Sequence, residues 1–153
     1  MENAKLLSTP ILTYVHLSTC DCPTSDEEKE FMTKVPYQSA IGSLMYTMVA
    51  SRPGIAFVVG AVSRFMLNHG KKHWDEVKLI LRYLSGTKDK FLCLGRGDVS
   101  IIRFIDSDYA RCANNRKSTS GYIFQIMRGA IAWRYHLQEC VALSATEAEY
   151  VDQ

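Results

Sequence analysis

Apolar residues fall in helical register along the first half of the chain and in strand-like runs along the second. Over residues 37–51, Ile41, Leu44, Met45, Met48 and Val49 repeat at i, i+3, i+4, i+7 and i+8, one apolar stripe on a helix. Pro36 precedes the run, where proline is tolerated, and Pro53 stops it. A second helix is predicted over 55–67, with Ile55, Val58, Val59, Val62 and Met66 on one face and a stop at Asn68-His69-Gly70. Gly60 weakens that helix or marks close packing. A third, over 72–85, turns Trp74, Val77, Leu81 and Leu84 inward and closes at Gly86.

The period then changes. Residues 90–94, 100–105, 121–127 and 130–135 read as strands, the last two joined by a hairpin turn at Arg128-Gly129. Residues 141–143 continue or follow the last strand, and Ser144 and Glu147 have the spacing of a capping box that opens a final helix. Residues 1–35 read as extended or irregular, broken at Ser8-Thr9-Pro10 and Cys22-Pro23-Thr24-Ser25. The acidic run Asp26-Glu27-Glu28-Lys29-Glu30 fits either a short helix, whose N-terminus acids favour, or a solvated loop. The expectation is an α+β fold: three helices, a boundary at Gly95-Arg96-Gly97-Asp98, then a β-rich segment that ends as a helix begins.

Composition narrows this little. The 153 residues suit one domain or two small or incomplete ones, and 47% hydrophobic with 22% charged is globular usage that argues against wholesale disorder. A net charge of +2 and a pI near 8.3 are too mild to indicate nucleic-acid binding on their own. The pairs Lys71/Lys72 and Arg116/Lys117 read as solvated surface. Five cysteines without a CxxC pair, and without histidines at zinc-finger spacing, argue for a reduced intracellular compartment rather than a disulfide framework. Met1-Glu2-Asn3-Ala4-Lys5-Leu6-Leu7 lacks the apolar core of a signal peptide. No apolar run approaches the roughly 20 residues that span a bilayer, so no membrane is expected as a partner.

Two places carry candidate chemistry. In Phe104-Ile105-Asp106-Ser107-Asp108 an apolar strand ends in two carboxylates, and Thr146-Glu147-Ala148-Glu149 sets two more at a helix start. Strand-end and helix acids can converge on hard divalent cations, which prefer oxygen ligands, and a pair of such ions can drive phosphodiester cleavage. The same residues also suit a turn or strand-end cap and compensation of the helix dipole. His16, His69, His73 and His136 have neither metal spacing nor a partnered nucleophile and read as surface or partly buried. Ser118-Thr119-Ser120 reads as turn chemistry, Trp74 and Trp133 as core anchors, and there is no P-loop or dinucleotide fingerprint.

Taken in order, the segments resemble the Pol polyprotein of Ty1/copia-type LTR retrotransposons. The match runs through Asn3-Ala4-Lys5, Ser8-Thr9-Pro10, Val35-Pro36-Tyr37-Gln38-Ser39-Ala40-Ile41-Gly42-Ser43-Leu44-Met45-Tyr46 and Ser51-Arg52-Pro53. It continues through Val62-Ser63-Arg64-Phe65, His73-Trp74 and Leu81-Arg82-Tyr83-Leu84-Ser85-Gly86-Thr87. Asp106-Ser107-Asp108, Asn115-Arg116-Lys117-Ser118-Thr119-Ser120-Gly121-Tyr122, Val141-Ala142-Leu143-Ser144 and Glu147-Ala148-Glu149-Tyr150 complete it. The resemblance covers essentially the whole chain and is far more specific than any one motif.

The resemblance implies that residues 1–95 are a thumb- or connection-like region of a reverse transcriptase, whose helices grip a template–primer duplex. It implies that residues 98–153 are the truncated N-terminal part of a ribonuclease H-like domain: three antiparallel strands and the start of the first helix. The activities implied are RNA-templated DNA synthesis and cleavage of RNA in RNA–DNA hybrids by two-metal hydrolysis with Mg²⁺ or Mn²⁺. Asp106 matches the metal-bridging aspartate of the first strand and Glu149 the glutamate ligand of the first helix, with Asp108 and Glu147 as weaker choices. The implied partners are an RNA–DNA hybrid or template–primer duplex and the remainder of a Pol polyprotein, in the cytoplasm (a virus-like particle) or the nucleus and not secreted.

The chain also departs from the pattern. The further carboxylates of the site would lie beyond Gln153, and Asp152 does not occupy a matching position. Tyr109-Ala110-Arg111-Cys112 replaces a longer acidic and aromatic stretch, and Gly54 stands where aspartate is usual. The paired-aspartate polymerase motif would lie upstream of Met1. These departures imply a fragment without turnover of its own; the alternatives are an active ribonuclease H and a domesticated module that binds hybrid or other nucleic acid without catalysis.

Overall fold

The computed structural model describes residues 7–10, 17–95 and 99–151. The chain divides into two compact units, Met1–Lys90 and Phe91–Gln153. Of the four residues expected to mark a boundary, Arg96, Gly97 and Asp98 lie outside the described residues.

The first unit is helical: α1 (Asp26–Thr33), α2 (Tyr37–Ala50), α3 (Ala56–Ser63) and α4 (Lys71–Gly86), with 3₁₀ turns at Thr19–Asp21 and Pro53–Ile55. The acidic run resolves as helix because Ser25 caps it. The Ser25 hydroxyl accepts from Glu28 N–H at 3.2 Å, and Asp26, Glu27 and Glu28 crowd the first turn, where the helix dipole favours them. Thr19–Asp21 and Asp26–Thr33 are therefore more regular than the sequence suggests, while residues 1–6 and 11–16 lie outside the described residues. The apolar stripe of α2 is narrower than its pattern implies: Tyr37, Ile41 and Leu44 are buried, whereas Met45 and Val49 are exposed. The spacing 37, 41, 44, 48 is the face that meets α3 and α4, and it leaves positions 45 and 49 beyond its edge. The second predicted helix ends early, at Ser63, and 3₁₀-type bonds from Phe65 N–H to the Val62 carbonyl and Met66 N–H to the Ser63 carbonyl tighten the chain after it. Ile55, Val58, Val59, Val62, Val77 and Ile80 complete a core around Tyr37, Ile41 and Leu44.

The second unit holds β1 (Ile101–Ser107), β2 (Thr119–Ile126), β3 (Gly129–Leu137) and α5 (Ala145–Tyr150). The strands form an antiparallel sheet in the order β1-β2-β3, and α5 packs against β1. Ile126 pairs with Gly129, so Met127 and Arg128, rather than Arg128 and Gly129, are the two turn residues. Both have positive φ, 49° and 64°, as a type I′ hairpin turn demands. Gly129 is needed for a different reason: a Cβ there would stand 2.5 Å from the Cys93 carbonyl oxygen. Residues 90–94 and 141–143 are not strands. The first of these segments lies against the hairpin at Gly129, and the next residue, Gly95, donates its N–H to the Met127 carbonyl at 3.0 Å.

Five helices and an open three-stranded antiparallel sheet among the described residues make an incomplete α+β fold. No helix among the described residues is long and apolar enough to cross a membrane.

Candidate metal-binding carboxylates

β1 carries Asp106 in register with Gly121 and Ser107 in register with Ser120. Gly121 is bare because the Tyr135 ring lies over it, 2.8 Å from where a Cβ would sit. Asp106 is exposed at this end of the sheet. Asp108, just past the strand, is drawn into the fold. Its N–H donates to the Thr119 carbonyl at 3.0 Å and its Oδ1 accepts from Thr119 N–H at 2.6 Å, a reciprocal clamp that closes the β1–β2 end. Ser118 extends the clamp, its hydroxyl accepting from Ala110 N–H at 3.0 Å. Of the three residues expected to serve a turn, Ser118 does so, whereas Thr119 and Ser120 begin β2, and all three are buried.

On α5, Ser144 Oγ accepts from Glu147 N–H at 3.1 Å, the forward half of a capping box. The return bond goes one residue further back: Glu147 Oε2 accepts from Leu143 N–H at 2.7 Å. Glu149 is exposed and lies one residue past the buried Ala148.

Gln138 joins these two places. It is buried, and its Nε2 donates to Ser120 Oγ at 2.7 Å and to the Ala148 carbonyl at 2.6 Å, while its N–H donates to the Ser118 carbonyl at 2.9 Å. It therefore ties the start of β2 to α5, one residue from the rung that holds Asp106 and one residue from Glu149. Sequence reasoning passes over Gln138, because a lone Gln beside Glu139 after an apolar run looks like ordinary surface.

The donor set suits a hard cation in kind, being carboxylate oxygen only. One oxygen of the half-buried Asp108 and one of the exposed Glu147 already accept from backbone N–H groups, while Asp106 and Glu149 are both exposed. Among the described residues, no group of three or more His, Cys, Asp or Glu side chains is arranged to hold a metal. Asp152 lies outside the described residues.

The other singled-out residues serve packing. His73 is fully buried, deeper than its sequence context suggests, and its Nδ1 accepts from Gly70 N–H at 2.9 Å. His69 is half-buried and stacks on Tyr37, ring centroids 4.1 Å apart and 9° from parallel. His136 is half-buried and His16 lies outside the described residues. Trp74 packs half-buried against the helical core, and Trp133 is half-buried on β3. All five cysteines are free, and only Cys112 is buried.

No protein-family model and no solved structure matches the chain. It is 55% identical over 151 residues to the retrovirus-related Pol polyprotein from transposon TNT 1-94 of Nicotiana tabacum, a match covering 99% of the chain and 11% of that protein. It is 32% identical over 151 residues to the retrovirus-related Pol polyprotein from transposon RE2 of Arabidopsis thaliana, covering 98% of the chain and 10% of that protein. A third relative, secreted RxLR effector protein 161 of Plasmopara viticola, is 42% identical over 121 residues, 78% of the chain and 85% of the relative. The chain thus spans about a tenth of the length of the Pol polyproteins it matches.

Proposed function

Since the chain belongs to the Pol polyproteins of copia-type retrotransposons, we propose that it is the junction between the polymerase and ribonuclease H parts of such a protein. In this reading the helical unit contributes to gripping the template–primer duplex. The sheet unit supplies the first half of a metal site for cutting RNA in an RNA–DNA hybrid. Asp106 and Glu149 hold the Mg²⁺ or Mn²⁺, with Asp108 and Glu147 as weaker ligands. When bound, the cations would activate water and stabilise charge on the leaving oxygen. An intracellular setting, in the cytoplasm or nucleus, goes with this role.

The observation that carries the reading is the Gln138 bridge, which fixes α5 to the β2 start beside the rung of Asp106. Two exposed carboxylates on elements held together in this way form a half-site. Mg²⁺ is usually held by one or two carboxylates with several waters and substrate phosphates, so two ligands favour weak binding, and turnover needs the rest of a longer Pol protein. Titration with Mn²⁺ at millimolar concentration tests this. Paramagnetic broadening should centre on the amides of Ser107 and Ala148 and disappear in Asp106→Asn. Broadening spread evenly over surface acids such as Glu27 and Glu30 would contradict it.

One observation favours a second reading, a nucleic-acid-binding module without catalysis. This stretch makes up most of a separate, much shorter relative, so it also exists apart from a full Pol protein. A salt titration of RNA–DNA hybrid binding separates the two: absence of affinity at low salt, or affinity without a salt slope, counts against the binding module.

A further inference from the structure

The start of α4 is built around an unusually close contact. A Cβ on Gly70 would stand 2.0 Å from the Asp21 carbonyl oxygen, so residues 18–22 lie directly on this turn as a strap. Lys72 Nζ holds the strap through Asp21 Oδ1 at 2.9 Å, and Cys22 Sγ donates to the Asn68 carbonyl at 3.1 Å. Beneath the strap, His73 closes the first turn of the helix. Its Nδ1 accepts from Gly70 N–H at 2.9 Å, so in this state Nδ1 carries no proton and the ring proton sits on Nε2. The ring is fully buried and lies 4.0 Å from that of Phe65.

We propose that the Gly70–His73 cap is a proton-sensitive latch: a proton on His73 Nδ1 removes the acceptor of Gly70 N–H, and the 18–22 strap lets go of the start of α4. The imidazolium has donors at both nitrogens, so two N–H groups would then face each other across the closed turn. The strap and α4 also wall a cleft of about 450 Å³ whose far side includes Glu27, Glu28 and Phe31, so release reshapes that cleft.

The charges around the ring set the direction. Burial holds the His73 pKa below its usual value, and His69 and Lys72 push the same way, while Asp21 and the Ser18 carbonyl oppose them. His69 is likewise held low by burial, against the carbonyls of Met32 and Met66. Glu76, one turn on along α4, is pushed up by burial, with Asp75 adding to this and Lys72 opposing it. From the other elements, the Tyr37 phenol and the Cys22 thiol are both pushed up by burial and stay neutral. The released histidine titrates at its ordinary value of about 6.5, above the closed one. The closed form is thus fully favoured above that pH and gives way as pH falls below it. One linked proton raises the open fraction by at most about tenfold per pH unit.

Amide hydrogen exchange of the full chain between pH 7.5 and 5, corrected for intrinsic rates, reads the latch at Gly70, Cys20 and Cys22. Those amides should lose protection by up to about tenfold per unit below pH 6.5 while the core of α2 keeps its own. Glutamine at the same helix position accepts from a backbone N–H without titrating, so His73→Gln should abolish the pH dependence. His69→Phe keeps a ring on Tyr37 and should leave it intact. If His73→Gln fails to fold, the wild-type His73 ¹⁵N shifts decide: protonation at Nδ1 must track the loss of protection at Gly70. A response that survives in His73→Gln, one that vanishes in His69→Phe, or constant protection across the range overturns the latch.

Discussion

Tyr37 shows how one side chain organises the helical unit. It is completely buried, its hydroxyl donates to the Val62 carbonyl at 2.8 Å, and its ring carries the stacked His69. Burial pushes its phenol well above the usual range. Tyr37→Phe keeps the ring and removes one buried hydrogen bond. Because the Val62 carbonyl still accepts from Phe65 N–H, the expected loss is about 1 kcal/mol in denaturant unfolding. The phenol also gives the wild type an alkaline limit. Its folded pKa is raised, so its contribution is complete below the ordinary value of about 10 and is lost as pH climbs above it. Tyr37→Phe should flatten that alkaline decline; a variant as alkali-sensitive as wild type would remove Tyr37 from the explanation. Little of this shows in the sequence. Periodicity marks Ile41 and Leu44 as inward, but Tyr37 follows a proline and looks like a helix-start residue, and the burial of His73 depends on a strap remote in sequence.

At the scale of elements, local patterns are reliable where one force acts and misleading where two compete. The helices α2 and α4 appear within a residue or two of their predicted spans, because each joins a clear apolar stripe to a proline or glycine stop. The β2–β3 hairpin is misplaced by one residue, because Gly129 looks like turn chemistry but serves the close approach of Cys93 and Leu94. The turn instead forces Met127 and Arg128 to positive φ, which costs of order 1–3 kcal/mol for such residues. Replacing Met127-Arg128 by Asn-Gly should relieve this and raise stability by about 1 kcal/mol or more. Chemical denaturation of the double variant checks it, and an unchanged or lower midpoint would show that the turn is not strained. The candidate carboxylates were legible as strand-end and helix-start acids. Their division of labour was not, since the bonds from Thr119 to Asp108 and from Leu143 to Glu147 exist only once the sheet and α5 are formed.

For the whole molecule, family membership and catalytic competence are different matters. The ordered match to much longer Pol polyproteins extends over nearly all of the chain, yet about a tenth of their length is present here. Within that tenth Asp106 is exposed on β1 and Glu149 on α5, Gln138 ties α5 to the start of β2, and the described residues hold no set of three metal-binding side chains. Much of β1 is exposed and apolar, with Ile101, Ile102 and Phe104 each at least half accessible, as suits a sheet that other parts of a larger protein would cover. The role proposed above is that of a half-site for hybrid cleavage that does not cut alone. The most direct test is incubation of the purified chain with an RNA–DNA hybrid and Mg²⁺ or Mn²⁺, with Asp106→Asn alongside. The RNA should stay intact with both proteins; cleavage by the wild-type chain that is lost in Asp106→Asn would overturn the half-site.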